Sequence, residues 1–227
     1  MKILINSQVL HRAIAPMLPI VGNSLLPILD NIYFNVLEEH QLEVVGFNLT
    51  TSITVQVPVE TITAGRCLIP AWLLCKLLKH LPEQPIAIEV QATKIIITTE
   101  DGIFKLPSYE VMDYPKWPLI SAAFHVVSVS ASNLRAVERV LPFCSKDQLR
   151  PALMCVHIDL RKNDLLECTA SDGHHLMTVQ FIEKEISVIM EQTLLVPAAA
   201  LILLLKALQS WKIPVETSVD LFVKEQI

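Results

Sequence analysis

Thr54-Val55-Gln56 and Thr178-Val179-Gln180 stand 124 residues apart, and that interval organises the rest of the sequence. Working back toward the N-terminus, Leu42-Glu43 falls on Leu166-Glu167, Leu29 on Leu153, Pro27 on Pro151 and Leu10 on Leu134 at the same spacing. Past a three-residue insertion, Ile69-Pro70-Ala71 meets Val196-Pro197-Ala198, and Lys79 meets Lys206. A register held over so long a stretch marks a duplicated structural unit. The chain therefore divides into two domains, 1–120 and 121–227, joined through residues 113–121 with their prolines and Trp117.

Each copy reads as the same series of elements. A short strand (2–5, 124–129) leads through a capping Asn or Ser into an amphipathic helix (7–15, 130–141). Pro16 and Pro19 stop the first helix, and Leu134, Val137, Val140 and Leu141 form the apolar stripe of the second. Alternating strands follow at 32–36, 42–46 and 51–57, and again at 157–160, 165–170 and 175–181. A second helix opens at Pro70 or Pro197, where a missing N–H costs nothing. Strands at 86–90, 94–99, 103–106 and 215–223 complete the series. The order β-α-β-β-β, repeated, lacks the strand–helix alternation of a parallel sheet. It predicts an α+β fold with antiparallel sheets and helices gathered on one face. Ile227 aligns near Ile96, so the second copy reads as incomplete at its C-terminus.

Composition removes several classes of function. Hydrophobic residues make up 52% and charged residues 18%, with mean hydropathy +0.47. The longest apolar run, 194–205, is still only 12 residues and contains Pro197, against roughly 20 for a membrane span. The apolar part of the N-terminus is too short for a secretion signal, so a cytoplasmic protein is expected. Cys67, Cys75, Cys144, Cys155 and Cys168 are odd in number and form no CxxC pair, which reads as reduced core thiols. A net charge of −5 argues against a surface basic all over, but not against a basic stripe on one face.

Two clusters carry candidate chemistry. Lys76, Lys79 and His80 share one side of the helix after Pro70, opposite Leu73, Leu74, Leu77, Leu78 and Leu81. Arg135 and Arg139 do the same on the helix after Ser130, and Lys206 repeats the position of Lys79. Such a stripe is either a solvated face or a phosphate-contacting one, and its recurrence on equivalent helices favours the second. The other cluster is Ser171-Asp172-Gly173-His174-His175-Leu176. It offers a carboxylate and two imidazoles, yet adjacent strand residues point to opposite faces, and Asp-Gly is a common turn. A metal hydrolase using Asp172 and His174 is the catalytic alternative, but no P-loop, GxGxxG, HExxH or GxSxG motif accompanies it. No catalytic residue, metal site or cofactor is expected.

These residues also carry a resemblance. Leu26-Pro27-Ile28-Leu29-Asp30-Asn31, Arg150-Pro151-Ala152-Leu153 with Ala170-Ser171-Asp172-Gly173-His174-His175-Leu176, and Phe104-Lys105-Leu106 with Asp113-Tyr114-Pro115 together resemble the bacterial DNA polymerase III β subunit family of sliding clamps. The resemblance implies the DNA clamp fold, with sheets outside and helices lining a hole around duplex DNA. It implies a non-enzymatic processivity factor that closes into a ring by self-association. DNA polymerase and the clamp loader would dock on it through short linear motifs. By carry-over, Lys76, Lys79, Arg135, Arg139 and Lys206 face DNA. Leu153, Ser171, Gly173, His174, His175 and Leu176 form the second-domain half of the motif groove. The family's third domain has no counterpart in this sequence. Departures concentrate on charge: Asn23-Ser24, Trp72 and Ala198-Ala199-Ala200 stand where basic residues are usual. His175 replaces an Arg, and Met154-Cys155 an Asn-Gly. These losses leave a second reading open, a divergent clamp-like interaction module that does not encircle DNA.

Overall fold

The computed structural model describes residues 1–22, 26–37, 40–49, 51–91, 94–117, 125–161, 165–182, 192–214 and 217–223, and they form two compact units, Met1–Pro118 and Leu119–Ile227. In the first, β1 (Lys2–Asn6) buries Ile3 and Ile5 by simple alternation. Asn6 then caps α1 (Ser7–Ile14), its Oδ1 accepting the Gln8 N–H at 2.9 Å and the Val9 N–H at 3.2 Å. The apolar side of α1 places Leu10, Ala13 and Ile14 in the core. Pro16 then tightens the chain into a 3₁₀ turn, Ala15–Met17.

Three strands follow as an antiparallel meander: β2 (Asn31–Leu37), β3 (Gln41–Phe47) and β4 (Ser52–Pro58). After them come β5 (Glu60–Thr63), β6 (Arg66–Pro70), α2 (Ala71–His80), β7 (Pro85–Gln91), β8 (Lys94–Thr98) and β9 (Ile103–Pro107). The two sheets run β4-β3-β2-β6 and β5-β1-β7-β8-β9, so the strand before each helix belongs to the sheet that follows the other helix. That exchange ties the two halves of the unit together, and Leu10, Ile14, Leu74 and Leu78 from the helices are buried with Ile3, Leu42, Val44, Ile86 and Ile88 from the sheets. Each buried Leu or Ile contributes about 1.5–3 kcal/mol.

The second unit repeats this plan with β10 (His125–Ser130), α3 (Ala131–Ala136), β11 (Cys155–Arg161), β12 (Leu165–Ser171), β13 (Leu176–Ile182), β14 (Gln192–Pro197), α4 (Ala198–Ser210) and β15 (Ser218–Val223). Its described sheets run β13-β12-β11-β14 and β10-β15. The duplication holds to the level of register. Tyr33 pairs with Val45 and Leu68, and its counterpart His157 pairs with Thr169 and Leu195. Phe47 opposes Ser52 as Ser171 opposes Leu176. Both copies turn into the meander through a 3₁₀ turn that begins at the repeated proline, Pro27–Asp30 and Pro151–Met154.

Several expectations needed correction. The helix expected over 130–141 is α-helical only to Ala136 and continues as 3₁₀ turns, Val137–Arg139 and Leu141–Phe143. The ladder changes from Val137 on, where the Val140 N–H donates to the Val137 carbonyl and not to that of Ala136, and Pro142, with no N–H for the Glu138 carbonyl, bars a return to α-helix beyond it. Pro70 and Pro197 cap their helices from the last position of a strand rather than opening them. Strands β5, β6 and β14 escaped the alternation test; in β6, Cys67, Leu68 and Ile69 are all buried, so its two faces read alike. Residues 113–117 are no linker, because Tyr114 is buried in the first unit. Residues 118–121, Phe124, Val215 and Asn23-Ser24, which carried other expectations, lie outside the described residues.

Candidate nucleic-acid interface and docking face

The helices are where positive charge collects. Together α1 to α4 carry five Lys or Arg (Arg12, Lys76, Lys79, Arg135, Lys206) and no Asp or Glu, in a chain of net charge −5. On α2 the buried side is Ala71, Leu74, Cys75 and Leu78, which leaves Trp72, Leu73, Lys76, Lys79 and His80 facing solvent. Leu73 thus belongs with the cations and not opposite them as the sequence reading had it; it is 39% exposed. The Lys76 ammonium lies 4.8 Å from the centre of the Trp72 ring. Packed beside α2, α1 adds the exposed Arg12 and the half-buried His11. Burial, and then the neighbouring Lys79 ammonium, push the His11 pKa below its usual value.

In the second unit the same positions are thinner in charge. Arg135, which stands where His11 stands in the first copy, is half-buried and its guanidinium donates to the Ile213 carbonyl. It shares a shallow open depression of about 390 Å³ with Ser132, Ala136, Glu138 and the exposed Arg139. Lys206 is exposed on α4 between Ile202 and Gln209, with Ala199 one turn before Ile202. Arg12 was missed from sequence because its counterpart is Ala136, so the repeat gave no second instance of it.

The Ser171–Leu176 segment is a self-satisfied turn. Asp172 Oδ1 accepts the His174 N–H at 2.9 Å and the His175 N–H at 2.7 Å, while Oδ2 lies 3.0 Å from His175 Nδ1. The backbone N–H groups of His175 and His174, followed by the His175 ring, hold the Asp172 carboxyl well below the usual carboxylate range. Ser171 Oγ donates to the His175 carbonyl at 2.7 Å and accepts the Gly173 N–H at 3.1 Å. Gly173 itself has φ +93, which favours glycine. The two histidines therefore sit in a turn, with β13 starting only at Leu176, and Asp172 is occupied in holding that turn together. Among the described residues no group of three His, Cys, Asp or Glu is placed to hold a metal ion.

That turn lies against Leu153, the remaining residue of the expected second-domain half of the groove. A Cβ on Gly173 would stand 3.4 Å from the Arg150 guanidinium and 4.0 Å from Leu153 Cδ1. Leu153 and Ser171 are half-buried, while Gly173, His174, His175 and Leu176 are exposed. In the first unit the equivalent face is covered. There Leu29, Tyr33, Val45, Phe47 and Leu68 are buried beneath the segment carrying Val111, Tyr114 and Trp117. The Tyr33 ring centre lies 5.9 Å from that of Tyr114 and 4.9 Å from that of Trp117. The second-unit counterparts are Leu153, His157, Thr169, Ser171 and Leu195, and every one of them is at least partly open to solvent. The contrast is sharpest at Leu68 and Leu195, which are 0% and 59% exposed, and Leu176, on the opposite edge strand of the second unit's sheet, is 67% exposed. His157 and Leu195 were missed as site residues, although the repeat interval alone maps them onto Tyr33 and Leu68.

Residues 1–118 match the family described as DNA polymerase III beta subunit, N-terminal domain. The chain is 27% identical over 221 residues to the beta sliding clamp of Streptomyces coelicolor, covering 92% of this chain and 55% of that protein. It is 26% identical over 165 residues to the beta sliding clamp of Micrococcus luteus, covering 73% of this chain and 50% of that one. The fold superposes on the DNA polymerase sliding clamp from Bacillus subtilis with a TM-score of 0.88 at 23% identity, covering 99% of this chain and 60% of the other. For the DNA polymerase III subunit beta from Pseudomonas aeruginosa the TM-score is 0.86 at 21% identity, with the same coverage. The chain spans about half the length of the curated relatives it matches.

Proposed function

We propose, from the premise that this chain belongs to the DNA polymerase III beta subunit family, that it serves as a non-catalytic processivity clamp or as a portion of one. Its helical faces meet duplex DNA through sequence-blind phosphate contacts, and the second unit holds short linear motifs of a polymerase and a clamp loader. The observation that carries the first half is the sorting of charge: five cations and no carboxylate on the four helices of an acidic chain. Phosphate contact requires that sign of field and no particular side-chain geometry. Of those five, Lys76, Lys79 and Lys206 are assigned to it, joined by Arg139 from the 3₁₀ turn after α3, where the exposed Glu138 stands next to it. Arg135 contributes less, since its guanidinium already serves the Ile213 carbonyl.

The motif half rests on the open face of the second unit. An extended peptide with an aromatic or large aliphatic anchor would supply there what Tyr114 and Trp117 supply in the first unit, covering Leu153, Leu176 and Leu195. Each such leucine, once covered, is worth about 1.5–3 kcal/mol. The turn Ser171–His175 would form the polar rim.

Topological linkage is tested by retention on nicked circular DNA through gel filtration, with loss on linearisation. Equal retention on circles and linear DNA would remove the encircling role. A divergent interaction module that does not encircle DNA is favoured by one feature, the α4 face, where Lys206 stands among Ala199 and Ile202. The docking half is tested by Leu176→Asp, which should abolish binding of a polymerase-derived motif peptide. Unaltered affinity would remove the groove assignment.

A further inference from the structure

One feature of the helical surface goes unused in contacts with duplex phosphates. Trp72 is 62% exposed on α2, on the same side as Lys76, Lys79 and His80. A tryptophan leaves this much apolar surface in water at a cost, and the ring does nothing for the core, which Leu74 and Leu78 fill from the opposite side of the helix. Phosphates recruit cations and gain nothing from an indole. An indole gains from another π-face, and duplex DNA hides those faces inside its own stack except at ends, gaps and junctions.

We propose that Trp72 is a stacking platform for an unpaired nucleotide, so that the basic face of the first unit binds single-stranded segments and duplex–single-strand junctions in preference to continuous duplex. The inference rests on the DNA-facing reading above and narrows it to a substrate class. Three observations support this occupant over an apolar protein surface. The Lys76 ammonium lies over one face of the Trp72 ring, 4.8 Å from its centre, so a base would stack on the ring's other face with that charge close by for its phosphate. Lys79 and Arg12 extend that charge along α2 and α1. No Asp or Glu occurs on either helix to oppose a polyanion. A protein partner would gain from Trp72 and Leu73 but would have to desolvate this cluster of cations.

Fluorescence anisotropy on the 227-residue chain, with a labelled oligo-dT, a blunt duplex and the same duplex carrying a short single-stranded gap, tests the proposal. The gapped and single-stranded probes are expected to bind tighter than the blunt duplex. Trp72→Ala should remove that excess, a loss of roughly five- to a hundredfold, and leave duplex affinity unchanged. Trp72→Phe should keep most of it, and thermal melts establish that both variants fold. The proposal is overturned if the wild type shows no preference for unpaired DNA, or if Trp72→Ala weakens all three probes alike. It is also overturned if Trp72→Ala abolishes self-association and leaves nucleic-acid binding intact, since a second copy would then be the occupant. Lys79→Ala separates the two levels: weaker binding of every probe supports the DNA-facing reading whatever Trp72 does. If neither the wild type nor Lys79→Ala binds any probe, that reading fails and stacking falls with it.

Discussion

Removing Lys76 and Lys79 together should change how binding responds to salt more than it changes the protein. Both side chains are exposed on α2, and the helix is held by Leu74 and Leu78 on its far side. Replacement of the pair by Ala should therefore leave folding within about 1 kcal/mol of wild type, part of which is the Lys76–Trp72 contact. Each lysine on a phosphate contributes about 0.9 to the slope of log affinity against log salt. Losing two should flatten that slope by about 1.8, so between 50 and 200 mM salt the variant loses about twelvefold less affinity than wild type. Anisotropy titrations with a labelled duplex across that salt range read the slope directly. Lys94→Ala with Lys105→Ala, on the exposed sides of β8 and β9, removes the same charge from the sheet and should leave the slope alone. An unchanged slope in the α2 pair, or an equal change in the strand pair, would refute the assignment of the helical face.

The duplicated register makes a packing prediction. Leu42 and Leu166 are equivalent and are 0% and 2% exposed, so Leu42→Ala and Leu166→Ala should each cost about 2–5 kcal/mol in urea unfolding; a loss below 1 kcal/mol at either would show that equal register does not bring equal packing. Burial pushes the Cys67 and Cys168 thiols up to about 12. They should resist iodoacetamide in the folded protein. Because the folded state keeps protons that the unfolded chain releases above its ordinary thiol pKa of 9.0, stability should be full below that pH and fall as pH rises toward 12. The Asp172 carboxyl is shifted the other way, so its contribution exists above the ordinary carboxylate range and disappears as pH falls through its lowered pKa. The melting temperature of Asp172→Ala should lie below wild type at neutral pH and converge with it in strong acid, and a pH-independent gap would contradict this.

The architecture was legible because duplication and alternation are carried by the positions that pack. Leu10, Leu42 and their counterparts Leu134 and Leu166 are all buried, so the repeat that identified them is the repeat of the core. What escaped was structure that leaves no period. The strand Arg66–Pro70 is apolar on both faces, and the helix after Ser130 passes into 3₁₀ turns at Val137, before Pro142 is reached. The docking face was legible only by half. The Ser171–Leu176 turn announced itself by polarity, whereas His157 and Leu195 look like any strand residues until their partners Tyr33 and Leu68 are found beneath Tyr114 and Trp117. Trp72 carried a signal that went unread: it precedes Lys76 and Lys79 by four and seven residues, on one side of the helix, and stands where a basic residue is usual.

Lysine acetylation footprinting with mass-spectrometric readout, run with and without duplex DNA, reports which side of the repeated module meets nucleic acid. Lys76, Lys79 and Lys206 on the helices should be protected, while Lys94 and Lys105 on the strands stay as reactive as in the free protein. Protection of the strand lysines, with the helical ones unaffected, would mean that the sheets and not the helices face DNA.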